Sequence, residues 1–179
     1  RFTDAYAACP VCSPTRASIM TGKYPARLHL CNHLKGSHPL DEKLLTPVWV
    51  DKLPAEEVTI AEALKEYGYV SGHFGKWHLN VDKNYELNRP GDPHSQGFDH
   101  VLTTHKPGKG PESPYPDDAH HVQQITEETL KFIEENSENP FFCYIAHNSI
   151  HRPEVESEML IEKYRAKHGA DNDVEYGHN

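Results

Sequence analysis

A chain of 179 residues is long enough to bury one hydrophobic core. With 36% apolar and 25% charged residues it has the composition of a globular protein, and no apolar run approaches the ~20 residues that a membrane-spanning helix needs. A formal net charge of −9 without any basic run excludes a general nucleic-acid or anionic-membrane surface, while leaving room for a small basic pocket that takes one anion.

The chain opens at Arg1, without an initiator Met or a leader pattern, and reads as an internal piece of a longer protein. The first informative stretch is AACPVCSPTRASIMTG, 7–22. Ser13 is a good N-cap and Pro14 suits a first helical position, so a short helix is expected over 14–21, with Gly22 as its stop. Residues 23–57 contain four prolines and no strong period, which predicts a long surface excursion. VTIAEALKEYGY, 58–69, is a clear helix. Thr59 and Glu62 form a capping box, Ile60, Ala63, Leu64 and Tyr67 share an apolar face, and Gly68 ends it.

YVSGHFGKW, 69–77, follows as a strand running into a glycine turn. Residues 80–117, rich in Pro, Gly, Asp and Asn, read as an irregular insertion. A second helix is expected over 118–136, capped by Asp117 or Asp118, with Val122, Ile125, Thr129, Phe132 and Ile133 on one face. PFFCYIAH, 140–147, is a continuous apolar run of the kind that forms a buried parallel strand. The tail from Glu154 is charged and at best partly helical. The fold class is therefore α/β, with two visible helix–strand units. Both strands run into His-bearing loops at their C-terminal ends, where open α/β sheets place their sites. Most of the 14 histidines, among them His94, His105, His120 and His121, read as solvated loop residues.

Chemistry concentrates at Cys12 and Arg16. A cysteine at a helix mouth has its thiolate favoured by the helix dipole, and an arginine in the first turn can grip an oxyanion bidentately. Together they make a candidate site for a tetrahedral anion. A buried structural cysteine beside a surface arginine is the competing reading of those two residues alone.

CSPTRASIMTG resembles the signature of the type I, formylglycine-dependent sulfatases of the alkaline phosphatase superfamily, with Cys12, Pro14, Arg16, Thr21 and Gly22 at its fixed positions. Three further stretches resemble that family in its order. GKWHLN, 75–80, matches an active-site Lys76 and His78, with Asn80 in place of a usual glycine. QGFDH, 96–100, matches a Gly-Phe-Asp element. FFCYIAHNSIHRP, 141–153, matches the strand and loop that deliver a histidine, here His151, while His147 matches no family role.

The resemblance implies a partial sulfatase catalytic domain over 1–179, part of a sandwich with a mostly parallel sheet between helices. It implies hydrolysis of a sulfate ester, on a sulfated carbohydrate or an aryl sulfate, with Cys12 converted to formylglycine. One hydroxyl of the aldehyde hydrate attacks sulfur and the other then expels sulfate. Lys76 and Arg16 would offset charge, His78 would serve the hydrate, and Lys76 and His151 would bind sulfate, His151 also protonating the leaving group. It also implies a divalent cation, usually Ca²⁺, for which this sequence supplies only Cys12. The family's carboxylate ligands lie upstream and downstream of the positions matched here, and Asp117, Asp118 and the acidic run at 171–173 do not occupy their places. The isolated chain is accordingly expected to be inactive or poorly metallated. A periplasmic, lysosomal or secreted setting is implied in the same way.

Two other readings compete. Cys9, Cys12, His29, Cys31 and His33 could supply four ligands to a tetrahedral zinc, although the spacing of the second cluster is unlike common zinc knuckles. Thiol–disulfide exchange through Cys9 and Cys12 lacks the expected preceding strand. Nearer in kind, phosphonate or phosphodiester hydrolases of the same superfamily share the modified cysteine, and Lys76-Trp77-His78 favours the sulfatase side.

Overall fold

Three short parallel strands form the centre of the chain: β1 (Val70–Gly75), β2 (His100–Thr103) and β3 (Phe141–Ala146), in the order β2–β1–β3. The structure is a computed structural model, and it describes residues 1–36, 41, 43–82 and 84–167. The acidic run at 171–173 and the end of the charged tail lie outside these. The helices are α1 (Cys12–Thr21), α2 (Ile60–Lys65), α3 (Val122–Glu135) and α4 (Glu158–Arg165), with single 3₁₀ turns at Pro25–Leu28 and Pro93–Gln96.

Strand alternation divides the core into two layers, because successive side chains leave a strand on opposite faces. Phe74, Leu102, Phe141 and Cys143 face α3, where Ile125 and Phe132 complete a small cluster. The Phe74 and Phe132 rings meet edge-on with centroids 5.5 Å apart. Val101, Phe142 and Tyr144 face the other layer, a larger cluster of Ala17, Met20, Leu28, Leu30, Leu53, Ala61, Trp77, Leu79 and Phe98. Helices thus cover both faces of a parallel sheet, as the α/β expectation required.

Several local expectations hold. Thr59 and Glu62 make the reciprocal capping box. Gly22 stops α1 in a left-handed conformation, its N–H reaching the Ser18 carbonyl at 2.8 Å. Ile125, Thr129 and Phe132 are the buried positions of α3, but the helix starts at Val122 rather than 118, with His121 and not Asp117 or Asp118 at its N-cap; Asp118 receives the N–H groups of Gln123 and Gln124 at 3.0 and 3.2 Å from outside it.

Others are corrected. Ser13 does not cap α1. The helix begins two residues earlier, at Cys12 after Val11, with no side-chain cap, and the buried Ser13 hydroxyl accepts the Leu34 N–H at 3.2 Å. The supposed surface excursion 23–57 contributes Leu28, Leu30, Leu34 and Leu53 to the buried set. The apolar face predicted for α2 is not the buried one: Ile60 and Tyr67 are exposed, while Ala61 faces inward. Close backbone approach decides this, since Thr59 donates to the Gln96 carbonyl at 2.7 Å and Gly97 abuts the Glu62 amide. The insertion 80–117 hides β2. In the resulting order β3 lies at an edge of the three-stranded sheet, so it is half-buried, with Ile145 46% exposed. His120 and His121 are buried rather than solvated, and so is His73.

Candidate active site

The parallel register brings three loops to one end of the sheet. Gly75 is level with Thr103 on one side and Ala146 on the other. Lys76 N–H continues the ladder to the Ala146 carbonyl at 2.8 Å, and Thr104 N–H continues it to the Gly75 carbonyl at 3.0 Å. Gly75 sits at φ 110°, where a Cβ would fall 2.2 Å from the Ala146 carbonyl oxygen, so only glycine lets β1 turn here into Lys76 and His78. The mouth of α1 meets these loops, and the four segments enclose a cavity of about 900 Å³ lined by Cys12, Lys76, His78 and His151 among others.

Cys12 Sγ lies 3.2 Å from His78 Nδ1. His78 Nε2 is hydrogen-bonded to the Leu34 carbonyl. A carbonyl only accepts, so Nε2 carries a hydrogen and Nδ1 faces the Cys12 side chain. Burial raises the Cys12 pKa. The His78 hydrogen bond, the positive charges of Lys76 and His78 and the Ser13 N–H together outweigh it and lower the thiol to about 6. Lys76 is pulled below the usual lysine range, chiefly by burial, with Cys12 opposing and Arg16 and Lys106 assisting.

This makes Cys12 the reactive thiol of the unmodified chain. Alkylation by iodoacetamide is expected to follow a single ionisation near pH 6 at Cys12, ahead of Cys143, whose thiol burial pushes up, and to move to higher pH in Lys76→Met. Peptide-resolved rates across pH 5–9 check this; equal rates at the two cysteines would contradict the geometry.

Arg16 is placed differently from its expected grip on an oxyanion. Its Nη1 donates to the Lys76 carbonyl at 2.7 Å and to the Tyr144 hydroxyl at 3.3 Å, and it is not among the residues lining the cavity. It braces the 76–78 loop from behind. His151 lines the cavity and its Nδ1 bonds the Arg152 carbonyl at 2.9 Å, leaving Nε2 as its other nitrogen. That bond raises its pKa, but partial burial and repulsion from Lys76, Lys106 and His78 carry the net shift downward. His147 is exposed and does not line the cavity.

Asn80 donates to Asp92 at 3.0 Å, and Asp92 also receives the Glu86 N–H and Arg89 Nε. Asp82 pairs with Arg89. The two carboxylates on the cavity wall are therefore already committed. Ca²⁺ takes roughly six to eight oxygen ligands, and no such set flanks Cys12 among the described residues. The described residues do not by themselves fit the implied cation. Nor do Cys9, Cys12, His29, Cys31 and His33 converge. Among the described residues no three His, Cys, Asp or Glu side chains gather as a metal site. Cys31 instead points its thiol at the Pro25 carbonyl, and His33 bonds Asn32.

Sequence reasoning missed the Leu34 carbonyl, Tyr144, Asn148 and the loop after β2. Asn148 donates to Thr104 at 2.7 Å, both buried, and locks the third loop to the second. The β-branched Val101, Thr103 and Thr104 were the available signal for that strand.

The Sulfatase family model matches residues 1–176. An arylsulfatase of Hemicentrotus pulcherrimus is 32% identical over 176 residues, covering 84% of this chain and 30% of that protein. The crystal structure of Ps i-CgsB in complex with k-i-k-neocarrahexaose is 25% identical, with TM-score 0.54 over 84% of this chain and 37% of that one. A Bacteroides thetaiotaomicron structure from work on the metabolism of multiple glycosaminoglycans has TM-score 0.68 at 20% identity, over 92% and 38% of the two chains. The chain spans about a third of the length of the relatives it matches. No helix among the described residues is long and apolar enough to cross a membrane.

Proposed function

Since the chain belongs to the sulfatase family, we propose that it carries the nucleophile and anion-binding side chains of a sulfate-ester hydrolase. The observation that carries this reading is the meeting of Cys12, Lys76 and His78 at an uncapped helix mouth, in a cavity at the C-terminal ends of parallel strands. Conversion of Cys12 to formylglycine would supply a hydrated aldehyde, one hydroxyl attacking sulfur and the other releasing sulfate as the aldehyde re-forms.

The chain's own residues then have separable roles. Lys76 and the first-turn N–H groups of α1 offset the charge that gathers on the sulfuryl oxygens. His78, its Nε2–H held by Leu34, presents Nδ1 to the Cys12 side chain and takes a proton there. His151, on the cavity wall with Nε2 as its other nitrogen, protonates the leaving oxygen. Arg16 fixes the backbone of the 76–78 loop. The substrate class is a sulfated carbohydrate or aryl sulfate, supported by the neocarrahexaose bound in the structural relative and by the arylsulfatase relative. A periplasmic, lysosomal or secreted setting and a Ca²⁺ ion follow from the family resemblance.

The test pairs turnover of an aryl sulfate and an aryl phosphate by the full-length protein that contains this chain with the mass of its Cys12 peptide, in material from a host that matures such cysteines. Expected are sulfate-ester turnover and a peptide in which the thiol sulfur and two hydrogens have given way to one oxygen. An unmodified thiol with no sulfate turnover overturns the reading. Preference for phosphate or phosphonate esters would favour the sister class of hydrolases.

A further inference from the structure

The cavity holds a cation for which cleavage of one sulfate group gives no partner. Lys106 follows β2, and β2 is anchored. Thr104 is tied to the Gly75 carbonyl through its backbone and to Asn148 through its hydroxyl, both partners of the site loops. That anchoring places Lys106, together with Lys109, on the wall of the same cavity as Cys12, Lys76 and His151.

Lys106 is half-buried, and no carboxylate pairs with it among the described residues. The wall's own acids cannot serve it, because Asp82 and Asp92 are held by Arg89, Asn80 and backbone N–H groups. A half-buried ammonium without a carboxylate partner can form a charge-assisted hydrogen bond when a ligand brings an anion. The field of Lys106 reaches both Lys76 and His151, so it stands beside the reacting group rather than across the protein. A single sulfate ester carries one negative charge, already met by Lys76 and the helix mouth. A cavity of about 900 Å³ leaves space for more than that group.

We propose that Lys106 is a specificity-determining residue that binds a second anionic oxygen group, a carboxylate or a second sulfate, carried by the substrate near the ester being cleaved. The proposal rests on the sulfatase reading of the site and names the substrate feature that it selects.

The test compares 4-nitrophenyl sulfate with two relatives bearing a second anionic group on the ring, one a carboxylate and one a sulfonate. In Lys106→Met the kcat/KM advantage of the doubly anionic substrates over the singly anionic one should fall about tenfold, mostly through KM, the loss expected for one charge-assisted hydrogen bond. Lys106→Arg should keep the advantage, and added salt should shrink it in the wild type. The two doubly anionic substrates separate carboxylate from sulfate-like selection. An unchanged ratio in Lys106→Met, or a wild type with no advantage, overturns the proposal. These kinetics use the full-length protein that contains this chain; where no substrate is turned over, Lys106 is tested separately by titration. Isophthalate should bind more tightly than benzoate, and Lys106→Met should remove that difference. Equal binding of the two by the wild type would overturn the proposal on its own.

Discussion

Cys12→Ala is expected to reduce sulfate-ester turnover by about 10⁴-fold or more, to background, because alanine cannot be converted to the formylglycine whose hydrate oxygen attacks sulfur. The deletion should leave the pocket standing. Cys12 is in the first turn of α1, while the helix is held by Ala17 and Met20 in the core and by Ser13 against Leu34. Thr15 is fixed independently, donating to the Cys9 carbonyl at 2.5 Å and accepting the Cys9 N–H at 3.1 Å. The variant should therefore still bind inorganic sulfate through Lys76 and the helix mouth, with affinity within a few-fold of the parent. Lys76→Met should behave differently. It keeps the nucleophile but loses a fixed cation, and is expected to cost about 10²–10³-fold in kcat and to weaken sulfate binding as well. Steady-state kinetics with sulfate as a competitive inhibitor separates the two variants. Substantial turnover by Cys12→Ala would remove Cys12 from the chemistry and with it the proposed mechanism.

The motifs that carry this chemistry were legible because each is local. Cys12 and Arg16 share one helical turn, and Lys76 and His78 share one loop, so spacing along the chain is also spacing in space. What escaped the sequence depends on pairing between distant segments. β2 is only four residues long and sits in a stretch dominated by Pro, Gly and Asp, so its strand character comes from its register against β1. The burial of Leu28, Leu30 and Leu53 has the same origin. No period marks these leucines, yet they fill the layer under Trp77, Leu79 and Phe98. Helix α2 shows the converse error. Its strong apolar periodicity suggested a packing face, but backbone contact through Thr59 and Gly97 set the rotation, and Ala61 took the inside. Arg16 was placed correctly in sequence and differently in role, because its partners, Lys76 and Tyr144, are 60 and 128 residues away.

His73 supplies the second large effect, on stability rather than turnover. It is fully buried on β1, boxed by Trp77, Phe98 and Tyr144 at ring-centroid distances of 5.2, 5.6 and 5.8 Å. Burial pushes its pKa from 6.5 down to about 3, outweighing the Lys76 backbone, and Arg16 repels the charge further. The unfolded chain therefore takes up a proton below pH 6.5 that the folded chain refuses until near pH 3. The stability associated with neutral His73 is complete above pH 6.5 and is lost as pH falls toward 3, at about 1.4 kcal/mol per pH unit. Between pH 7.5 and 5.0 that amounts to about 2 kcal/mol, or roughly 4–8 °C in Tm for a chain of this size. His73→Phe keeps the ring in the box and removes the ionisable group. Its Tm should fall less than that of the wild type over the same interval, by about this amount. Paired melts at pH 7.5 and 5.0 measure the difference. The interval lies above the range in which the depressed carboxyls Asp99 and Asp118 would begin to titrate. Equal acid shifts in the two proteins would show that His73 accepts its proton without opening the fold. A smaller shift in His73→Phe would tie the loss of stability in acid to the buried histidine on β1.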